Sequence, residues 1–417
     1  MSATDRPAGR VAPALGASGV SLADVEAARE VLTGVAIETP MQNSRVLSTL
    51  AGGPVRLKLE NLQRTGSFKT RGAYVRLARL SAAERAAGVV AASAGNHAQG
   101  VALSAQLLGI KATVFMPEGA PIPKVNATRG YGADVVFRGQ YLEHALAGAR
   151  EFAEETGAIF IHPFDHVDIV AGQGTCGLEV LEQAPDLKTV LIPCGGGGLL
   201  AGMAVAIKAL RPDVRVVGVQ AAGAAAYPPS LAVGAPIQLE SMSTMADGIA
   251  VGRPGDITFA AVRDFVDDIV TVTEESLARA LLALVERAKQ VVEPAGGAAF
   301  AALLDEPTAF ATPAVVVLSG GNIDPLLLGK VIRFGMAAGG RYLRLRVTIP
   351  DLPGGLASLL AELAAAGANV LEVEHERISP ALDLHEVEVR VQLETRGEAH
   401  AQKLVAVLTD RGYRVDP

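Results

Sequence analysis

Through most of the chain, short apolar runs alternate with stretches of helical periodicity, and glycine or other small residues mark the joins. Gly88–Ala92 is apolar and leads into SAGNHAQG, and Lys111–Met116 repeats the pattern before the proline-rich break PEGAPIP. Val135–Phe137 and Ile159–His162 read as further strands, with a helix over Tyr141–Glu155 between them. Thr189–Pro193 is followed by four glycines and an apolar helix at Leu199–Leu210, and Val214–Gln220 is another buried strand. Glu274–Gln290 predicts one amphipathic helix, since Leu277, Leu281, Leu284, Val285 and Ala288 share a face. Ala314–Leu318 then runs into SGGN. Alternation of this kind implies parallel sheets covered by helices on both faces, an α/β fold.

The pattern changes near Gly339 and Gly340. Leu343, Leu345, Val347 and Ile349 alternate with polar residues, as in a half-buried strand. Asp351 and Pro353 signal a helix start, and Leu356, Leu359, Leu360 and Leu363 recur at helical spacing. Strands over Val370–Ser379 and Leu384–Leu393, a helix over Glu398–Asp410 and a strand at Tyr413–Val415 complete a β-α-β-β-α-β order. That order is ferredoxin-like, and it makes residues 341–417 a separate domain. Residues 1–20, rich in Ala, Pro and Gly, read as a disordered tail.

Composition narrows the class. A chain of 417 residues with 50% hydrophobic and 19% charged residues is globular and needs more than one core. Its formal charge of −7 argues against nucleic acid as a partner. No apolar stretch is long and unbroken enough for a membrane span, and no secretory signal is visible. Cys176 and Cys194 are too few for a disulfide framework, which suits a reducing cytoplasm.

Four segments carry chemistry. In TGSFKTRG, Lys69 sits beside Phe68 among small residues at a helix start. A lysine there can lose its proton and form a Schiff base with an aldehyde, although most lysines are solvated surface charges. SAGNHAQG follows a strand, so Ser93, Ala94, Gly95, Asn96 and His97 present backbone N–H groups and side-chain donors to an anion such as a substrate carboxylate. A capped helix with Asn96 in the turn is the alternative. Gly195, Gly196, Gly197, Gly198 and Leu199 can wrap a phosphate, or form a flexible turn, and they do not fit the spaced dinucleotide pattern. Cys194 beside them reads as a small buried hydrophobe. Ser319, in LSGGN, points either into a ligand crevice or only into a turn.

Together with KLENLQRTGSFKTRGA (Lys58–Ala73), DGIAV (Asp247–Val251) and VEPAGG (Val292–Gly297), these segments resemble the fold-type-II pyridoxal-phosphate enzymes, specifically the threonine dehydratases (threonine ammonia-lyases). The resemblance implies a catalytic domain over 21–335, with a smaller subdomain at about 61–160 inserted in the larger. It implies that Lys69 binds the cofactor aldehyde, with Phe68 packed nearby and Asn96 on the ring hydroxyl. Gly195 to Gly198 and Leu199 would cradle the phosphate, and Ser319 would face the pyridine nitrogen. A serine there leaves that nitrogen largely unprotonated, which favours loss of a β-leaving group over a long-lived carbanion. Threonine would then lose its hydroxyl and amine to give 2-oxobutanoate and ammonia, and serine would give pyruvate. Alternatives are a catabolic L-serine or hydroxyaspartate dehydratase, or a non-catalytic amino-acid sensor.

Two departures from relatives matter. Ala94 stands where serine racemases carry a serine as second base, so racemisation is not expected. QAAGAAA, residues 220–226, lacks the carboxylates that hold a divalent cation in several relatives, so no metal is expected there. The tail over Arg341–Pro417 resembles an ACT domain. Its turn Asp351–Gly355 would take an amino-acid effector, isoleucine or valine, or the tail would simply dimerise. A homodimer or homotetramer serving isoleucine biosynthesis is the implied setting.

Overall fold

The computed structural model of the protein describes residues 17–377 and 382–416. Two compact units emerge, one ending at Pro325 and one from Leu326 onward.

The first unit is built on two sheets. The larger runs in the order Met41–Asn43, Val55–Lys58, Ala314–Val317, Thr189–Pro193, Arg215–Ala221, Asp268–Val272. Its strands are parallel except for the antiparallel edge pair Met41–Asn43 with Val55–Lys58. The smaller sheet is wholly parallel, in the order Asp134–Phe137, Ala112–Met116, Val89–Ala92, Ile159–Phe160. Strands Ala314–Val317, Thr189–Pro193 and Val89–Ala92 are buried along their whole length, which only helices on both faces can achieve. Crossover helices between successive strands supply that cover and close the parallel connections.

Small residues set the helix spacing. Helix Lys69–Ala78 meets helix Val167–Gln183 at Gly72 and Gly172, where a Cβ on Gly172 would lie 2.6 Å from the Gly72 Cα. Around that contact a charged cluster is buried. Arg71 donates to Glu60 at 2.8 Å and to Glu179 at 2.6 Å, and Lys58 reaches Glu179 at 2.6 Å. Burial pushes the Glu60 carboxyl up, but Arg71 and Lys58 outweigh it and hold it below the usual carboxylate range.

Two expectations are corrected. Residues 17–20 are not frayed: Ser18 and Val20 are buried, and Val20 joins the core beside Val25 and Ala28. The rest of the expected tail lies outside the described residues. The helix over Glu274–Gln290 is α-helical only to Ala283, then makes a π turn over Leu284–Ala288 and stops at Lys289, whose φ is 59°. The apolar periodicity extends through that turn, so the sequence could not mark the change.

The second unit holds a helix at Pro325–Ala338 and a four-stranded antiparallel sheet. This compact unit begins at Leu326, ahead of the 341–417 expected for the tail domain. Gly340, with φ 63°, ends a helix rather than a domain. Strands follow the order Asn369–Glu376, Glu386–Glu394, Tyr342–Pro350, Arg414–Asp416, with helices Gly355–Ala365 and Glu398–Asp410. Leu345, Val347, Ile349, Leu359, Leu363, Val389 and Leu404 form its own core. The expected strand end at Ser379 lies outside the described residues.

Candidate active site

The chemistry-bearing segments lie at the carboxyl ends of parallel strands, where open α/β sheets leave a crevice. Ser319 follows Ala314–Val317, the glycine run follows Thr189–Pro193 in the neighbouring strand, and Ser93 follows Val89–Ala92 in the smaller sheet.

Lys69 opens helix Lys69–Ala78, and its Nζ donates to the carbonyl of Pro163 at 3.0 Å. The ammonium also lies 5.3 Å from the Phe68 ring centroid. Burial pulls its pKa down from 10.5 to about 8, only partly opposed by the Glu293 carboxylate. Roughly a tenth is therefore the neutral, nucleophilic amine at pH 7.

Pro163–Asp165 ties Lys69 to the glycine run. Phe164 packs so tightly on Gly196 and Gly198 that a Cβ at Gly196 would overlap its ring. Asp165 caps helix Asp256–Phe265 by accepting from the N–H groups of Asp256 and Ile257 at 3.0 and 2.9 Å. Thr258 of that helix returns a hydrogen bond of 2.6 Å to the Gly196 carbonyl. Gly197, at φ 98°, has the left-handed conformation that leads into helix Gly198–Leu210. Among the described residues, the N–H groups of Gly195, Gly196 and Gly197 meet no acceptor. Those of Gly198 and Leu199 begin a helix and have no intrahelical partner. Five convergent donors at a helix N-terminus, in a loop too tight for side chains, fit a phosphate.

The other half of the site is a hydrogen-bonded cluster. Phe68 N–H donates to the Ser319 carbonyl at 3.2 Å, and Ser67 forms a bridge with Gly320. A Cβ on Gly320 would lie 3.0 Å from Asn96 Nδ2. Asn96 donates to Glu293 at 2.5 Å and accepts from Asn322 at 2.8 Å. The Ser319 and Ser67 hydroxyls have no partner among the described residues. Buried, donor-rich and unspent, these groups suit a polar aromatic ring held beside Lys69.

Lys69, Phe68, Asn96, Gly195 to Gly198, Leu199 and Ser319 thus converge on one region. The His97 side chain needs correction as a ligand donor. Its ring is buried and its Nε2 lies 2.9 Å from the Ile161 carbonyl. A carbonyl only accepts, so Nε2 carries the proton and is spent inside the protein. Burial, with Lys69 adding repulsion, lowers its pKa to about 3 and keeps it neutral. Ser93 Oγ accepts the Gly95 N–H at 3.1 Å, which shapes the loop. Cys194 is buried and its thiol is pushed up by burial, as a small hydrophobe would be.

Sequence reasoning gave no role to Glu293, Lys124 or Asp247. Burial raises the Glu293 carboxyl from 4.5 to about 7, opposed by Lys124 and reinforced by Asp247. Lys124 in turn pairs with Asp247 at 2.9 Å. Glu293 and Asp247 lie in motifs quoted without a chemical role, whereas Lys124 directly follows the proline-rich break and carries no signal.

The model of the pyridoxal-phosphate dependent enzyme family matches residues 32–320, and the chain belongs to that family. Within it, the chain is similar to the L-threonine ammonia-lyase of Geobacter sulfurreducens, 49% identical over 91% of this chain and 94% of that one. The L-threonine ammonia-lyase of Thermotoga maritima is 45% identical over 95% of this chain and 99% of its own. Among solved structures, the T.th. threonine deaminase superposes with a TM-score of 0.70 at 45% identity, covering 73% of this chain and 99% of that one. Maize serine racemase has a TM-score of 0.71 at 34% identity, covering 75% and 96%. No helix among the described residues is long and apolar enough to cross a membrane.

Proposed function

We propose that the chain is an L-threonine ammonia-lyase that converts L-threonine to 2-oxobutanoate and ammonia, with L-serine to pyruvate as a side activity. The observation that carries this reading is identity of 45 to 49% to threonine ammonia-lyases across nearly the full length of both partners. Pyridoxal phosphate, when bound, supplies an electron sink for the carbon that loses its proton.

The protein's residues do the rest. Lys69 would hold the cofactor through its Nζ, and the same amine is placed to take the substrate's α-proton. A pKa near 8 lets that nitrogen accept and return a proton at little cost. Gly195 to Leu199 would hold the phosphate, Asn96 would orient the ring hydroxyl, and Ser319 would offer the ring nitrogen a hydroxyl rather than a full negative charge. The loop Ser93–His97 receives the substrate carboxylate through its backbone N–H groups. Ala94 has no exchangeable proton, which supports elimination over racemisation despite the likeness to a serine racemase. The tail is read as an ACT domain with an isoleucine or valine effector at Asp351–Gly355, in a cytoplasmic homo-oligomer serving isoleucine biosynthesis.

Purified protein with pyridoxal phosphate should release 2-oxobutanoate from L-threonine faster than pyruvate from L-serine, and Lys69→Ala should abolish both turnover and the cofactor's protein-bound absorbance. Wild-type protein that binds the cofactor but leaves threonine untouched would overturn the reading.

A further inference from the structure

The pair formed by Lys124 and Asp247 is lopsided. The Lys124 side chain is 10% exposed and that of Asp247 is 60% exposed. The cation is committed to the interior, and its anion stands at the solvent edge, free to swing into water. They come from separate elements, Lys124 from the first turn of helix Ile122–Gly130 and Asp247 from the turn Asp247–Ile249. Lys124 also faces the loop after strand Val89–Ala92, because a Cβ on Gly95 would lie 3.8 Å from its Nζ. Gly95 precedes helix Asn96–Leu108, whose first N–H groups have no intrahelical acceptor. The pair acts electrostatically on Glu293, which is bonded to Asn96. Ammonium, helix N-terminus and the Asn96 cluster therefore border one space.

A buried ammonium needs an anion. We propose that Lys124 is the positioning cation for the substrate's carboxylate, and that Asp247 competes with that carboxylate for it. The proposal rests on the reading that loop Ser93–His97 receives the substrate. Exchange of one carboxylate for another leaves the charge at Lys124 balanced, so an amino acid gains the contact without stranding the lysine. An amine lacking the carboxyl cannot displace Asp247 and gains nothing from Lys124. Selection for α-carboxylates would then come from this exchange as well as from the loop's N–H groups.

Holoenzyme titrated with L-alanine and with L-alaninol, neither of which has a β-leaving group, reports binding through the cofactor's absorbance without any turnover. Lys124→Met should weaken L-alanine by about 10- to 100-fold, the scale of one charge-assisted contact. Its effect on L-alaninol should stay within about twofold, while Lys124→Arg keeps most of the preference. Asp247→Asn should tighten L-alanine and leave L-alaninol unchanged. Equal weakening of both ligands by Lys124→Met, or weaker L-alanine binding in Asp247→Asn, overturns the proposal. Should Lys124→Met fail to hold the cofactor, Asp247→Asn decides alone. Lack of threonine turnover by the wild type would count against the proposed function and leave this ratio readable.

Discussion

At Glu293, burial and hydrogen bonding meet in one side chain. The residue is 3% exposed, bonded to Asn96, and its carboxyl titrates near 7 instead of 4.5. An acid whose pKa is raised on folding contributes stability in full below its unfolded value, and that contribution is lost as pH rises through the folded value. The window here is about 4.5 to 7. Glu293→Gln is neutral throughout and escapes the loss. Cofactor-free Glu293→Gln should gain on the wild type as pH rises from 5 to 8, by up to about 3 kcal/mol at 1.36 kcal/mol per pKa unit. Urea unfolding at the two pH values measures it, and a gap that stays constant would contradict the assignment. The opposite sign applies to Lys69, where burial disfavours the charged form and the folded protein gives up its proton early. Two neighbouring groups, both drawn towards neutrality by burial, mark this region as a functional site.

The helix that carries Lys69 is fixed by a side chain two residues further on. Arg71 is 1% exposed and is held by Glu60 and Glu179, with Lys58 completing a cluster of two cations and two carboxylates. Removing one member leaves buried charge without a counterpart, a loss of about 3 to 5 kcal/mol. Arg71→Met should cost that much in urea unfolding, and a loss under about 1 kcal/mol would show that the helix is held chiefly by the Gly72 and Gly172 contact. The Lys58–Ala73 motif contains Lys58, Glu60 and Arg71, but nothing in the sequence shows that they pair, because they meet Glu179 only once the sheet and the helix Val167–Gln183 are in place. The strands and their glycine turns were legible for the opposite reason: Val89–Ala92, Thr189–Pro193 and Ala314–Val317 are apolar throughout and end in small residues. The edge strand Met41–Asn43 and the π turn at Leu284–Ala288 were not, since three residues show no period and a π turn keeps its neighbours' apolar face. Lys69, Asn96, Ser319 and the glycines were legible because each sits in a short motif. Only the His97 ring was misjudged, because a motif does not show which way a ring points, and this one turns to Ile161.

Over the whole chain, the relatives differ in length. The T.th. threonine deaminase is covered over 99% of its own length by 73% of this chain, which leaves no counterpart in that protein for most of the segment beyond Pro325. The Thermotoga maritima ammonia-lyase aligns with 95% of this chain and so extends through the tail. The shorter relative shows that a threonine deaminase can occur without a counterpart to most of this tail. The second unit has its own core, and its Asp351–Gly355 turn is built around Gly354 at φ 92°, with the Asp351 N–H donating to the His385 carbonyl at 2.8 Å. A turn pinned by backbone bonds, with Asp351 paired to Arg377 at 3.6 Å, offers both charges that a zwitterionic amino acid would meet. If isoleucine or valine acts there, a chain ending at Pro325 should keep its cofactor absorbance and threonine turnover and lose its response to either amino acid. The cut belongs at Pro325 because one at Gly340 leaves the helix Pro325–Ala338 without its own unit. Steady-state rates with and without each amino acid, for both the full and shortened chains, decide it. Inhibition that survives in the shortened chain would place the effector on the catalytic unit.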